Sequence, residues 1–275
     1  MSTLTSEKSN TATVNSEGTV HLERLDQRAI AVLTLDDPKR ANAMSPAMGD
    51  AFTAHIRSIE NDPSLRTVIV RGAGKDFSIG GHRDMLMKLG SGELGGPKDL
   101  HDFMMKFYNR WLPMLDLPVP VISVLQGDCI GVAPVFALAP DIAIADETLN
   151  LQVTFAGLAL YPGMALPGLL LRKVGRSRTA LMAIAGEAVN GREAERLGLV
   201  ERCMPAGKAF EEALRIARNI AAAGSETVRL LKKNIGLRKE DLAAELEANA
   251  LQQGNDFTTA EYRKRIAIYL PNNYA

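Results

Sequence analysis

An excess of charge of one sign is absent from this chain: 32 basic and 32 acidic residues cancel to a formal net charge of 0, with an isoelectric point near 6.9. A balanced chain has no global field to draw in nucleic acid or an anionic membrane, which leaves only local basic patches to consider. Cysteine is scarce as well. Cys129 and Cys203 are far apart, lack metal-type spacing, and read as buried small hydrophobes of a reducing compartment, with no metal site. Long apolar runs are missing: nothing approaches the roughly 18 residues of a membrane span. The opening stretch MSTLTSEKSNTATVNSEG has no basic region followed by an apolar core, so residues 1–18 read as a disordered tail rather than a signal peptide. Together these absences lead us to expect a soluble, cytoplasmic protein with neither a membrane nor a nucleic-acid partner.

The 275 residues are enough to bury a sizeable core without disulfides. Strand-like segments follow one another from Val20: VHLERL, AIAVLTL, TVIVRG between Thr67 and Gly72, VPVISVLQG, and PDIAIAD. Helical spacing lies between them. Ser45 to Ile59 opens with a Ser-Pro cap, and Phe103 to Leu115 carries Pro113 in its last turn. Strands alternating with helices predict crossover units and an α/β fold. After Gly175 the pattern is almost wholly helical, with Asn190 capping and Gly198 ending a short helix. Amphipathic helices are then predicted over Lys208 to Ala223, Glu226 to Gly236 and Lys239 to Gln253. Leu242, Leu246, Asn249 and Ala250 share one face of the last, which must pack on the chain's own core or on a partner subunit. The division expected is a core domain over 19–207 and a helical region over 208–275.

Two glycine turns follow apolar runs, in FSIGGHRDM near residue 77 and in QGDCIGVAPVFALAPD near residue 126. Turns opening at Ile79-Gly80-Gly81 and Ile130-Gly131-Val132 can aim free backbone N–H groups at one point and stabilise a developing oxyanion. Otherwise they only reverse the chain.

Four colinear segments carry a resemblance. LDDPKRANAMSPAM, KDFSIGGHRDM, VPVISVLQGDCIGVAPVFALAPDIAIAD, and the long stretch from GLALYPGMALPG to ERCMP together resemble the crotonase family of enoyl-CoA hydratases and isomerases. The resemblance covers roughly residues 20 to 270. It implies a ββα spiral with a C-terminal helical trimerisation region, and a homotrimer or a hexamer of paired trimers. It also implies a small-molecule acyl thioester of coenzyme A or of an acyl carrier protein as substrate, with coenzyme A or phosphopantetheine entering only as part of that substrate and no separate cofactor. By position it puts the two backbone donors on Ile79 and Val132, in turns that include Gly80, Gly81 and Gly131. Lys39, Arg40 and Ala41 fall on the segment that contacts the adenine and phosphates of CoA.

The departures from the family pattern are as telling. The two glutamates with which hydratases of the family activate water fall here on Val135 and Phe155, neither of which transfers a proton. Pro134 starts the helix after the second turn, where a proline is tolerated, so that helix and its dipole are expected to persist. Candidates to replace the acids are His82, His101 and Tyr161, with Asp128 at the site edge and Arg83 or Lys88 as holders of a substrate carboxylate. The segment through the Pro-Gly-Met turn is similar to the polyketide β-branching decarboxylases, although Gln252, Gln253 and Thr258 stand where those carry a histidine. A decarboxylating lyase is the reading preferred from the sequence. An isomerase, an atypical hydratase, a thioester hydrolase and a non-catalytic thioester-binding or scaffolding subunit stay open.

Overall fold

The computed structural model describes residues 18–269. The strands are β1 (Thr19–Leu25), β2 (Ile30–Asp36), β3 (Thr67–Gly72), β4 (Val121–Leu125), β5 (Asp128–Ile130), β6 (Ile142–Asp146), β7 (Asn150–Gln152), β8 (Val189–Asn190) and β9 (Arg202–Met204). Six of them form the main sheet in the order β1-β2-β3-β4-β6-β9, antiparallel only between β1 and β2. A small second sheet, β5-β7-β8, stands beside it. The helices are α1 (Pro46–Ile59), α2 (Arg83–Ser91), α3 (Pro97–Trp111), α4 (Val135–Leu138), α5 (Leu166–Ala183), α6 (Gly191–Leu197), α7 (Ala209–Ala222), α8 (Ser225–Ile235), α9 (Ala243–Phe257) and α10 (Ala260–Tyr269).

The near-continuous apolar runs of β3 and β4 follow from burial on both faces, since successive side chains alternate between two cores. Ile30, Val32, Ile69, Ile122, Val124 and Ile144 face one side, where Ala209, Ala213 and Ala217 of α7 press against them. The other side receives Leu33, Leu35, Val68, Val70 and Val121, in one core with α1, on which α3 packs in turn. The first helix of the C-terminal region is therefore a layer of the main sheet.

Local chemistry sets the helix ends. Ser45 accepts the Met48 N–H at 3.1 Å, and Pro46 occupies the first position of α1. α3 begins six residues before the expected Phe103, at Pro97, and Pro113 turns its continuation into a 3-10 segment over Leu112–Asp116. The helix expected after the second turn shrinks to the four residues of α4. Leu242, Leu246, Asn249 and Ala250 are buried by the chain's own core, and Asn249 accepts the Ala165 N–H at 2.9 Å. Both cysteines are buried and unpaired. Among the described residues no helix is long and apolar enough to cross a membrane, and no group of His, Cys, Asp and Glu is arranged to hold a metal ion. The stretch expected to be a disordered tail lies, up to residue 17, outside the described residues.

Candidate active site

Asn42 is the hub from which the first turn is built. Buried at positive φ, it accepts the Asp37 N–H and donates to the carbonyls of Ala73, Asp76 and Phe77. Its own carbonyl accepts the Ser78 hydroxyl at 2.7 Å, and that hydroxyl accepts the Gly80 N–H at 3.1 Å. The Ser78 N–H goes to the Asp128 carbonyl and the Ile130 N–H to the Ser78 carbonyl, each at 3.0 Å, which lays the two turns side by side. Gly80 makes the closeness visible. Its φ is +83°, and a Cβ there would lie 2.6 Å from the Ile130 oxygen and 3.1 Å from the Val132 nitrogen.

The first turn holds its free donor at a different residue from the one expected. The Ile79 N–H is spent on the Ala41 carbonyl at 3.1 Å, and the His82 N–H on Met44 at 3.0 Å. Between them the Gly81 N–H has no acceptor among the described residues. In the second turn Gly131 donates to Gln152, Ala133 donates to Ile130, and Pro134 has no N–H to give. The Val132 N–H has no acceptor among the described residues. Gly81 thus replaces Ile79 as the partner of Val132.

Both turns open on one cavity of about 200 Å³, whose lining includes Ile79, Gly81, Gly131, Val132 and Phe155. Met85, Leu86, Met104, Phe107, Leu158 and Phe257 make much of its wall. The polar side chains are Arg83, Tyr108, Gln152, Thr154, Gln253 and Tyr269; among the described residues no Asp, Glu, His, Lys or Cys lines it. A larger groove of about 930 Å³ runs between α3, α8 and α9 past Lys232, Lys233 and Lys239, but it touches neither turn.

Several expected residues are elsewhere. His82 caps α2, its Nδ1 accepting the Asp84 N–H at 3.3 Å, and it is buried outside the cavity lining. His101 is held between Asp102 and Glu247, 2.9 Å from each, on the seam of α3 with α9. The hydrogen bond to Asp102, with that to Glu247 behind it, raises its pKa above the ordinary value. Tyr161 is 42% exposed and lines a different groove, along α5. The Asp128 carboxylate accepts from Asn150 across β5 and β7 and faces away from the cavity, and Val135 is packed into the core rather than the lining. Lys88 is exposed and outside the lining, and so is Lys39; Arg40 pairs with Asp37 at 3.2 Å, and Ala41 contributes the carbonyl that takes the Ile79 N–H.

The lining holds a pair that the sequence conceals. The Tyr108 hydroxyl donates to Gln253 Oε1 at 2.6 Å. Tyr108 lies within the apolar stripe of α3 with Met104, Phe107 and Trp111, where spacing marks only a core face. A hydroxyl on that stripe was the available signal, because a buried tyrosine needs a partner for its O–H.

A parallel sheet beside a small second sheet, with two turns meeting over an apolar cavity, defines a protein of the crotonase fold. The family model for enoyl-CoA hydratase/isomerase matches residues 26–272, and the chain belongs to that enzyme family. A Thermus thermophilus protein assigned as an enoyl-CoA hydratase is 30% identical over 76% of this chain and 81% of its own. The 1,2-epoxyphenylacetyl-CoA isomerase of Escherichia coli is 26% identical over 89% and 93%. The crystal structure of an enoyl-CoA hydratase from Bacillus halodurans superposes with a TM-score of 0.80 at 21% identity, over 90% of this chain and 99% of that one. That likeness establishes the fold.

Proposed function

We propose that this chain is a decarboxylating lyase acting on an acyl thioester of CoA or of a carrier protein. One observation carries the reading: among the described residues, no Asp, Glu or His lines the cavity onto which the two turns open. Hydration and hydrolysis call for a group that activates water, and the family's two glutamate positions are Val135, outside the lining, and Phe155. Decarboxylation needs no base. The thioester oxygen sits between the Gly81 and Val132 N–H groups, the bond from the α-carbon to the carboxylate breaks, and its electron pair enters the enolate. Carbon dioxide leaves, and water supplies the proton that restores the α-carbon. Loss of a single oxyanion-hole donor typically costs about 10²–10³ in kcat.

The apolar wall favours this direction, because it disfavours a bound carboxylate relative to neutral carbon dioxide. Arg83 is the cation among the lining residues, and its charge attracts the carboxylate as it enters. Burial holds the Tyr108 phenol far above its ordinary pKa, so it serves as a neutral hydrogen-bond donor and not as a base. Lys39, exposed beside the first turn, remains our candidate for a CoA phosphate.

Double-bond isomerisation is the second reading, favoured by the match to the enoyl-CoA hydratase/isomerase family model. Incubation with malonyl-type, glutaconyl-type and enoyl thioesters, followed by mass spectrometry, separates the alternatives. Loss of the mass of carbon dioxide is expected. Gain of water would make the protein a hydratase, a shifted double bond at constant mass an isomerase, and binding without change a scaffold; each of these overturns the lyase.

A further inference from the structure

Tyr108 and Gln253 meet on one wall of the cavity, 1% and 2% exposed. The phenol donates to Gln253 Oε1, and Gln253 Nε2 donates to the Tyr161 carbonyl at 2.7 Å. A backbone carbonyl only accepts, so the amide nitrogen has to face Tyr161 and the amide oxygen has to face Tyr108. The carboxamide is therefore fixed from both ends. Gly163 makes room for the arrangement, since a Cβ there would come within 2.5 Å of the Tyr108 hydroxyl.

An amide nitrogen carries two hydrogens, and only one is used. The other has no acceptor among the described residues. Neighbouring walls are hydrocarbon, from Phe107, Leu160 and Phe257. A buried N–H without an acceptor is a standing cost that a ligand oxygen removes. Amide and phenol are both uncharged, so they suit a neutral oxygen better than a second carboxylate, which would be buried against them uncompensated.

We propose that Gln253, held by Tyr108, is a specificity-determining residue that selects acyl thioesters whose chain carries a hydroxyl or keto oxygen beyond the thioester carbonyl. This rests on the reading that the cavity receives the acyl group. Substrates with that oxygen complete the hydrogen bonding of Nε2; plain hydrocarbon chains leave it unmet.

The test is calorimetric binding of S-alkyl CoA thioethers, which cannot turn over, to the full-length protein. One series carries a hydroxyl moved along the chain, and the parent carries none. At least one hydroxylated member is expected to bind about ten-fold more tightly than the parent, the size of one well-placed neutral hydrogen bond. In Gln253→Met, apolar but similar in shape, that ratio falls to about one. Tyr108→Phe keeps the amide but releases it, and the ratio drops there too; either variant suffices if the other fails to fold. A parent that binds as tightly as every hydroxylated member overturns the proposal, as does a ratio that survives in the folded variants. Because binding is read without chemistry, a protein that does not decarboxylate can still pass. Failure of every thioether to bind, both on CoA and on phosphopantetheinylated carrier protein, ends both readings, whereas decarboxylation without hydroxyl preference ends this one alone.

Discussion

At Gly80 two constraints coincide: a left-handed backbone and an approach of the second turn that leaves no room for a methyl group. Gly80→Ala is expected to cost about 1–3 kcal/mol of stability, the usual range for a side chain forced into such a conformation. It should also weaken thioester binding, because the Val132 nitrogen lies 3.1 Å from the added carbon and must move. Denaturant unfolding and calorimetry measure the two effects. An unchanged midpoint together with unchanged affinity would contradict this account of the turns. The same residues show how far the site was legible in the sequence. Glycines mark where a backbone must bend or come close, and so the two turns were found. Which N–H stays free was not legible, because Ile79 loses its donor to Ala41, a partner set by tertiary structure. The direction in which His101 faces was not legible either, because its ring is held by Glu247, distant in the chain, and Tyr161 lies exposed in the groove along α5.

Among the elements, α3 and α9 form the seam that carries the Tyr108–Gln253 pair, and His101 closes that seam from outside. Its imidazole lies between Asp102 and Glu247, with Lys98 on the far side of Asp102 at 3.6 Å. The pair of carboxylates raises its pKa from the ordinary 6.5, so the folded chain holds the proton more tightly than the unfolded chain does. The resulting stabilisation is full below 6.5 and fades as pH rises through the raised value. Thermal melts of the wild type and His101→Gln should accordingly diverge at acidic pH and converge at alkaline pH. Parallel curves across that window would show that the ion pairs contribute nothing. The strands and the capped helix α1 were readable from alternation and from Ser45-Pro46, which act over a few residues. The shortness of α4 was not, because Pro134 tolerates a helix start without guaranteeing a long helix after it.

For the molecule as a whole, the resemblance to a trimeric family and the surface of this chain lead to one expectation. Single exposed apolar residues are ordinary. Six of those among the described residues gather in two separate places. Tyr161, Leu171 and Ile184 border the groove along α5, while Leu230, Leu231 and Ile235 are exposed on α8. Two different apolar patches on one chain suit a head-to-tail contact, in which one patch of each copy meets the other patch of the next, and such contacts close into rings when the rotation allows. A two-fold dimer would use one patch twice and leave the other bare. We therefore expect light scattering coupled to size exclusion to give a particle of about three 29.7 kDa chains, or twice that if rings pair. Leu171→Glu with Ile184→Glu should shift the particle toward the single chain while leaving the far-ultraviolet circular dichroism in place, since both side chains are at the surface. A wild-type protein that runs as one chain at all concentrations would contradict the ring, and so would a double variant that keeps the full assembly.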